Sequence, residues 1–112
     1  MVHVLTEQRG RVVILRPQER RLDAKVAVAF KEFIAKTIDA GLFFIVLDLS
    51  QVEFIDSSGL GAIVTAVRML SRRGDVVITG VQGEVQMMFS LTRMDKVFRV
   101  FATTDEAVTA LS

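Results

Sequence analysis

Between residues 42 and 49 the chain reads Leu-Phe-Phe-Ile-Val-Leu-Asp-Leu, and this run constrains the fold more than any other segment. Asp48 is its only interruption. An apolar stretch this short and this continuous is the pattern of a strand covered on both faces, which belongs in the interior of a largely parallel sheet. A helix needs roughly 20 apolar residues to cross a bilayer, so the run is far too short for a membrane span. The flanking chain must then supply the covering layers.

It does so on both sides. Val2 to Glu7 and Arg11 to Leu15 read as two short strands around a Gln8-Arg9-Gly10 turn, with Pro17 and the polar cluster after it ending the second strand. From Ala24 onward, Val26, Phe30, Phe33, Ile34 and Ile38 recur at helical spacing, with Lys25, Lys31, Glu32, Lys36 and Asp39 mostly on the other face, and Gly41 closes the helix. After the apolar run, Leu60, Ile63, Val64, Val67 and Leu70 form a second helical stripe, which Arg72-Arg73-Gly74 ends with cations and an expected left-handed glycine cap. Val76 to Thr79 reads as a strand, Val85, Met88, Phe89 and Thr92 as a shorter third helix, and Val97 to Phe101 as a further strand. Thr103 and Glu106 have capping-box spacing and open a last helix with Ala107, Val108 and Leu111 inward. The sum is a single α/β domain over residues 1–112, with a mixed sheet of about five strands and about four helices packed on it.

The segment between the central strand and the second helix carries the chemistry: Val52-Glu53-Phe54-Ile55-Asp56-Ser57-Ser58-Gly59-Leu60-Gly61. An acid, two hydroxyls and two glycines meet where a helix begins and free backbone N–H groups converge. Ser57 and Asp56 both suit a helix cap, a role worth about 1 kcal/mol. Gly59 and Gly61 relieve crowding or let a partner approach closely. Asp23 is an N-cap for the first helix. No Gly-Lys-Ser/Thr ending makes a phosphate-binding P-loop, and no dinucleotide fingerprint is present. Met87, Met88 and Met94 suit gap-filling or interface positions, and Phe54 and Phe89 the core.

Composition narrows the function further. The 14 basic and 13 acidic residues nearly cancel, so charge draws the chain to neither nucleic acid nor an anionic membrane. With no cysteine and one histidine, His3 near the start, neither a metal centre nor a cofactor is expected. A serine hydrolase lacks its Gly-x-Ser-x-Gly elbow, and its base would have to be His3. The chain is therefore read as no enzyme. Met1 to Glu7 has neither the basic region nor the long apolar stretch of a signal peptide, and a cytoplasmic location is the expectation.

Asp56-Ser57-Ser58-Gly59-Leu60-Gly61 after an apolar strand resembles the signature loop of the STAS-domain anti-sigma factor antagonists. The order of elements is similar along essentially the whole chain. Leu22-Asp23-Ala24, Leu47-Asp48-Leu49-Ser50 and Leu91 to Phe98 are weaker points of likeness. The resemblance implies that Ser57, directly after the aspartate, is phosphorylated by a serine-kinase anti-sigma factor and reset by a serine phosphatase. It also implies that Asp23, Asp56, Ser57, Ser58, Gly59, Leu60 and Gly61 form the partner-binding surface. Many members carry a glycine and an acid before the Leu-Asp pair, where this chain has Arg20 and Arg21. That loop lies beside the phosphorylation loop in the family, so both arginines join the expected partner surface. A monomer or weak dimer is expected. A STAS scaffold or accessory subunit of a signalling complex or transporter ATPase is the alternative implied by the same family.

Overall fold

The chain opens with a hairpin of β1 (Val4–Arg9) and β2 (Val12–Pro17), paired from Val4 opposite Pro17 to Arg9 opposite Val12 in the computed structural model, which describes residues 1–112. The turn is Gly10-Arg11, not Gln8-Arg9-Gly10. Gly10 takes φ +59°, as a two-residue hairpin turn requires, and the polar Gln8 and Arg9 stay in the strand because β1 is an exposed edge.

After β2 come β3 (Arg21–Leu22), α1 (Ala24–Asp39), β4 (Phe44–Asp48), β5 (Phe54–Ile55), α2 (Ser57–Leu70) and β6 (Asp75–Thr79). The chain finishes with α3 (Gly83–Leu91), α4 (Met94–Val97), β7 (Val100–Phe101) and α5 (Thr104–Leu111). The main sheet has the order β1-β2-β4-β6-β7, with every pairing after the hairpin parallel. The apolar run thus occupies the central strand, with Ile45, Val46 and Leu47 all buried.

Alternation along the strands sorts the core into two layers. Val13, Leu15, Ile45, Leu47, Val76 and Ile78 face a cluster of 21 buried residues that takes in Phe30 and Ile34 of α1, Ile63 and Leu70 of α2, and Val85 and Phe89 of α3. Val12, Ile14, Val46 and Val77 face the other way, where Ala107, Val108 and Leu111 of α5 cover them. Most of the apolar driving force therefore sits on the α1–α2–α3 side.

Three local readings are corrected. The strand read over Val97 to Phe101 is confined to a two-residue β7 at Val100–Phe101, because Val97 ends a short helix, α4, that was not expected and brings the helices to five in place of about four. Arg93 turns the chain at φ 61°, and Phe98 drops into the core edge-on to Phe89 at 6.4 Å, which pulls this β-prone stretch out of the sheet. The left-handed positions after α2 fall on Ser71 and Arg72 and not on Gly74, whose missing side chain instead admits the Phe43 carbonyl. Finally, β3 and β5 form a small parallel sheet of their own where loops were expected.

Candidate functional site

The β3·β5 pair builds the site. Arg21 lies opposite Phe54 and Leu22 opposite Ile55, so Asp23 and Asp56 each stand one residue beyond matched strands. Each aspartate then starts a helix. Asp23 Oδ1 accepts from the Lys25 N–H at 3.0 Å and caps α1, while Asp56 Oδ1 accepts from the Gly59 N–H at 3.0 Å and caps α2. Two helix N-termini and two carboxylates are thereby gathered around one short stretch of surface.

Ser57 and Ser58 are the first two residues of α2, and both are exposed. Since Asp56 supplies the cap, neither hydroxyl is needed for it. The Leu60 N–H already bonds to the Asp56 carbonyl at 3.0 Å, so the N–H groups left at the helix start belong to the two serines themselves. A negative group added to either hydroxyl would lie by the positive end of a 14-residue helix and near two carboxylates at once.

The two glycines have different work. A Cβ on Gly59 would sit 2.2 Å from the Leu22 carbonyl oxygen and 2.8 Å from Ile55 Cγ1, so this glycine lets the first turn of α2 close onto β3 and β5. Gly61 is exposed, with nothing within 4 Å of its Cβ position. It lines a groove of about 220 Å³ between α1 and α2 with Ala27, Val28, Lys31, Ser58, Ala62 and Thr65. Leu60 is 6% exposed and packs in the main core. Its side chain thus serves the fold and leaves little for a partner to touch.

Arg20 and Arg21 do lie beside the signature loop. The Arg20 carbonyl accepts from the Glu53 and Phe54 N–H groups at 2.7 and 3.0 Å. The Arg21 guanidinium stands 4.2 Å from the Phe54 ring centroid and 3.5 Å from Asp23 Oδ2, which commits it locally. Arg20 reaches only to Glu53 at 3.8 Å, with both side chains more than two-thirds exposed. Such a pair contributes little, and Arg20 is the charge free to meet something else.

One anchoring group was not singled out from the sequence. Asp48, at the end of β4, is buried and accepts from Arg16 Nε at 2.7 Å, the Ser50 N–H at 2.9 Å and the Thr104 hydroxyl at 3.2 Å. Burial pushes its carboxyl up, but the Arg16 and Ser50 hydrogen bonds outweigh that and hold it below the usual carboxylate range. It ties β2, β4 and the start of α5 together just upstream of the signature loop. The signal was present as the one acid inside the apolar run.

Residues 3–107 match the STAS domain family model, and the chain belongs to that family. A Thermotoga maritima protein named as an anti-sigma factor antagonist is 33% identical over 99 residues, covering 87% of each chain. The crystal structure of an anti-sigma factor antagonist from Mycobacterium paratuberculosis superposes with a TM-score of 0.89 at 25% identity, covering 99% of this chain and 94% of that one. A murine Slc26a9 anion transporter shares the fold at 20% identity and a TM-score of 0.77, with 94% of this chain matching 18% of the transporter. No helix of the chain is long and apolar enough to cross a membrane.

Proposed function

We propose that this chain is an anti-sigma factor antagonist that works by partner switching in the cytoplasm. In its unphosphorylated form it binds a serine-kinase anti-sigma factor and releases that factor's sigma factor. The kinase ends the interaction by moving the γ-phosphoryl group of ATP onto Ser57 Oγ; the hydroxyl proton is lost and ADP leaves. A serine phosphatase hydrolyses the ester and restores the hydroxyl. The chain is the substrate of this chemistry and performs none of it.

The observation that carries the reading is an exposed Ser57 released from capping duty by Asp56. The phosphate adds about 1.5 to 2 negative charges at neutral pH. Beside the Asp56 and Asp23 carboxylates it replaces a neutral hydroxyl with like charge, and a surface that fitted the partner no longer does. The helix N-terminus accommodates part of that charge, so the fold survives while the interface fails.

The test is phosphorylation by a purified serine-kinase anti-sigma factor of the same genome with ATP and magnesium, read by peptide mass spectrometry. One phosphate is expected on Ser57, abolished by Ser57→Ala and retained in Ser58→Ala. Phosphate on Ser58 or on a threonine, or none from any such kinase, would sink the assignment. The fold it shares with an anion transporter favours a second reading, an accessory or scaffold domain. In that case the partner would stay bound whether or not Ser57 carries phosphate.

A further inference from the structure

Helix α3 is apolar on two sides. Val85 and Phe89 point into the core, one turn apart, while Met87 and Leu91, also one turn apart, point outward and are 59% and 76% exposed. An outward stripe with two large apolar residues gains nothing from folding. Opposite them stand Phe54 and Ile55 of β5, and together with Met88 and Glu84 these residues line a groove of about 260 Å³. Only Glu84 among them is polar, and methionine walls adapt their shape to what enters.

Its position says what it meets. Ile55 is two residues before Ser57, at most about 7 Å along an extended chain. A standard protein interface covers about 800 Å² on each partner, a disc roughly 32 Å across. Ser57 comes just after β5, and the radius of such a contact, about 16 Å, is roughly twice the separation of Ile55 from Ser57, so a partner centred on Ser57 reaches β5 and the groove that Phe54 and Ile55 line. Next to it is a second hollow lined by Arg20, Arg21, Glu53, Phe54 and Glu84, which gives the apolar patch a polar rim of both signs. An apolar pocket inside a polar rim is the arrangement in which a few residues carry most of the binding energy.

We infer that the groove between β5 and α3 is the anchoring pocket for the anti-sigma kinase, receiving one apolar side chain of that partner while Ser57 faces its active site. The inference rests on the partner-switching reading above and adds to it the place where affinity comes from. Holding and switching are then separate: the pocket sets how long the partner stays, and the Ser57 hydroxyl sets whether it fits. A phosphate on Ser57 leaves the pocket intact and acts only at its neighbour.

The experiment uses the full chain and the purified serine-kinase anti-sigma factor that phosphorylates it, with dissociation followed on a binding surface in the absence of ATP. Met87→Ser with Leu91→Ser should speed dissociation at least about tenfold, with the association rate changed by no more than about twofold. Leu5→Ser, an equally simple loss of an exposed apolar group on the β1 edge, should leave both rates unchanged. Thermal melting shows whether the double variant is folded; if it is not, Leu91→Gln alone, at the more exposed position, replaces it and should still speed dissociation severalfold. Unchanged dissociation in a folded variant overturns the inference and leaves partner switching standing. So does a homodimer of the wild-type chain that the double variant dissolves with kinase binding intact, which would make a second copy the occupant. A wild-type chain that no such kinase binds removes the partner-switching reading and this inference with it.

Discussion

Gly59 and Gly61 lie two residues apart in the same helical turn, yet alanine at the two positions should move stability in opposite directions. At Gly59 the new Cβ would be 2.2 Å from the Leu22 carbonyl oxygen and 2.8 Å from Ile55 Cγ1. Ordinary contact distances are above about 3 Å, so helix and strand must separate by roughly 1 Å. The Leu22 carbonyl also accepts the Asp56 N–H at 3.3 Å, so the displacement strains the pairing that positions the cap. Overpacking of this kind costs about 1–3 kcal/mol, offset by up to about 1 kcal/mol of helix propensity gained over glycine. A 2.2 Å approach to a backbone atom puts the cost at the upper end, about 2–3 kcal/mol, and the net is a loss of about 1–2 kcal/mol.

At Gly61 nothing lies within 4 Å of the new methyl, and only the propensity gain of about 0.5–1 kcal/mol remains. For 112 residues, an unfolding entropy of about 2.1 cal/mol/K per residue makes 1 kcal/mol worth about 4 °C. Gly59→Ala should therefore melt about 4–8 °C below the wild type and Gly61→Ala about 2–4 °C above it, by calorimetry or circular dichroism. Gly59→Ala should also slow phosphorylation of Ser57, because the start of α2 is displaced. A Gly59→Ala protein that melts at or above the wild-type temperature would show that the first turn of α2 does not rest on β3, and the β3·β5 pair could not then be what positions Ser57.

Three further variants test the electrostatics and the cap. Asp48, held below the usual carboxylate range, contributes stability that is present above the unfolded value near 3.9 and is lost as pH falls through its lower folded value. Asp48→Asn, which leaves Arg16 beside a neutral amide, should cost about 3 kcal/mol at pH 7, and the gap to the wild type should narrow as pH drops below about 4 in denaturant titrations; a gap independent of pH would refute the ion-pair account. Ser57→Asp should keep the circular dichroism spectrum and melt within about 0.5 kcal/mol of the wild type, yet lose the partner in a pull-down, whereas Asp56→Ala should cost about 1 kcal/mol of stability through the lost cap. If affinity in Ser57→Asp falls only in proportion to the folded fraction, Ser57 is a structural residue.

What the sequence made legible follows from length and periodicity. Leu42 to Leu49 announced a central strand because burial on both faces leaves no polar alternation, and the stripes of α1 and α2 persist over enough turns to be read directly. Two-residue strands cannot show a period, so β3 and β5 went unseen, and with them the reason that Asp23 and Asp56 are equivalent. Asp23 and Asp56 were each legible as caps, but only the register of Leu22 with Ile55 shows that their helices start side by side. In the same way Gly59 and Gly61 look alike in the sequence and differ by what stands 2.2 Å away in one case and beyond 4 Å in the other.

The exposed face of α3 was harder still, since Met87 and Met88 read equally well as core or surface until the helix phase is fixed by Phe89. Once it is fixed, the molecule divides its labour. The two buried clusters hold the fold without Ser57, Ser58 or Leu91 in either of them, while the exposed serines follow β5 in the chain and the Met87–Leu91 stripe lines a groove with it. A charge can therefore arrive at Ser57 without disturbing what keeps the chain folded, which is the physical condition a reversible switch has to meet.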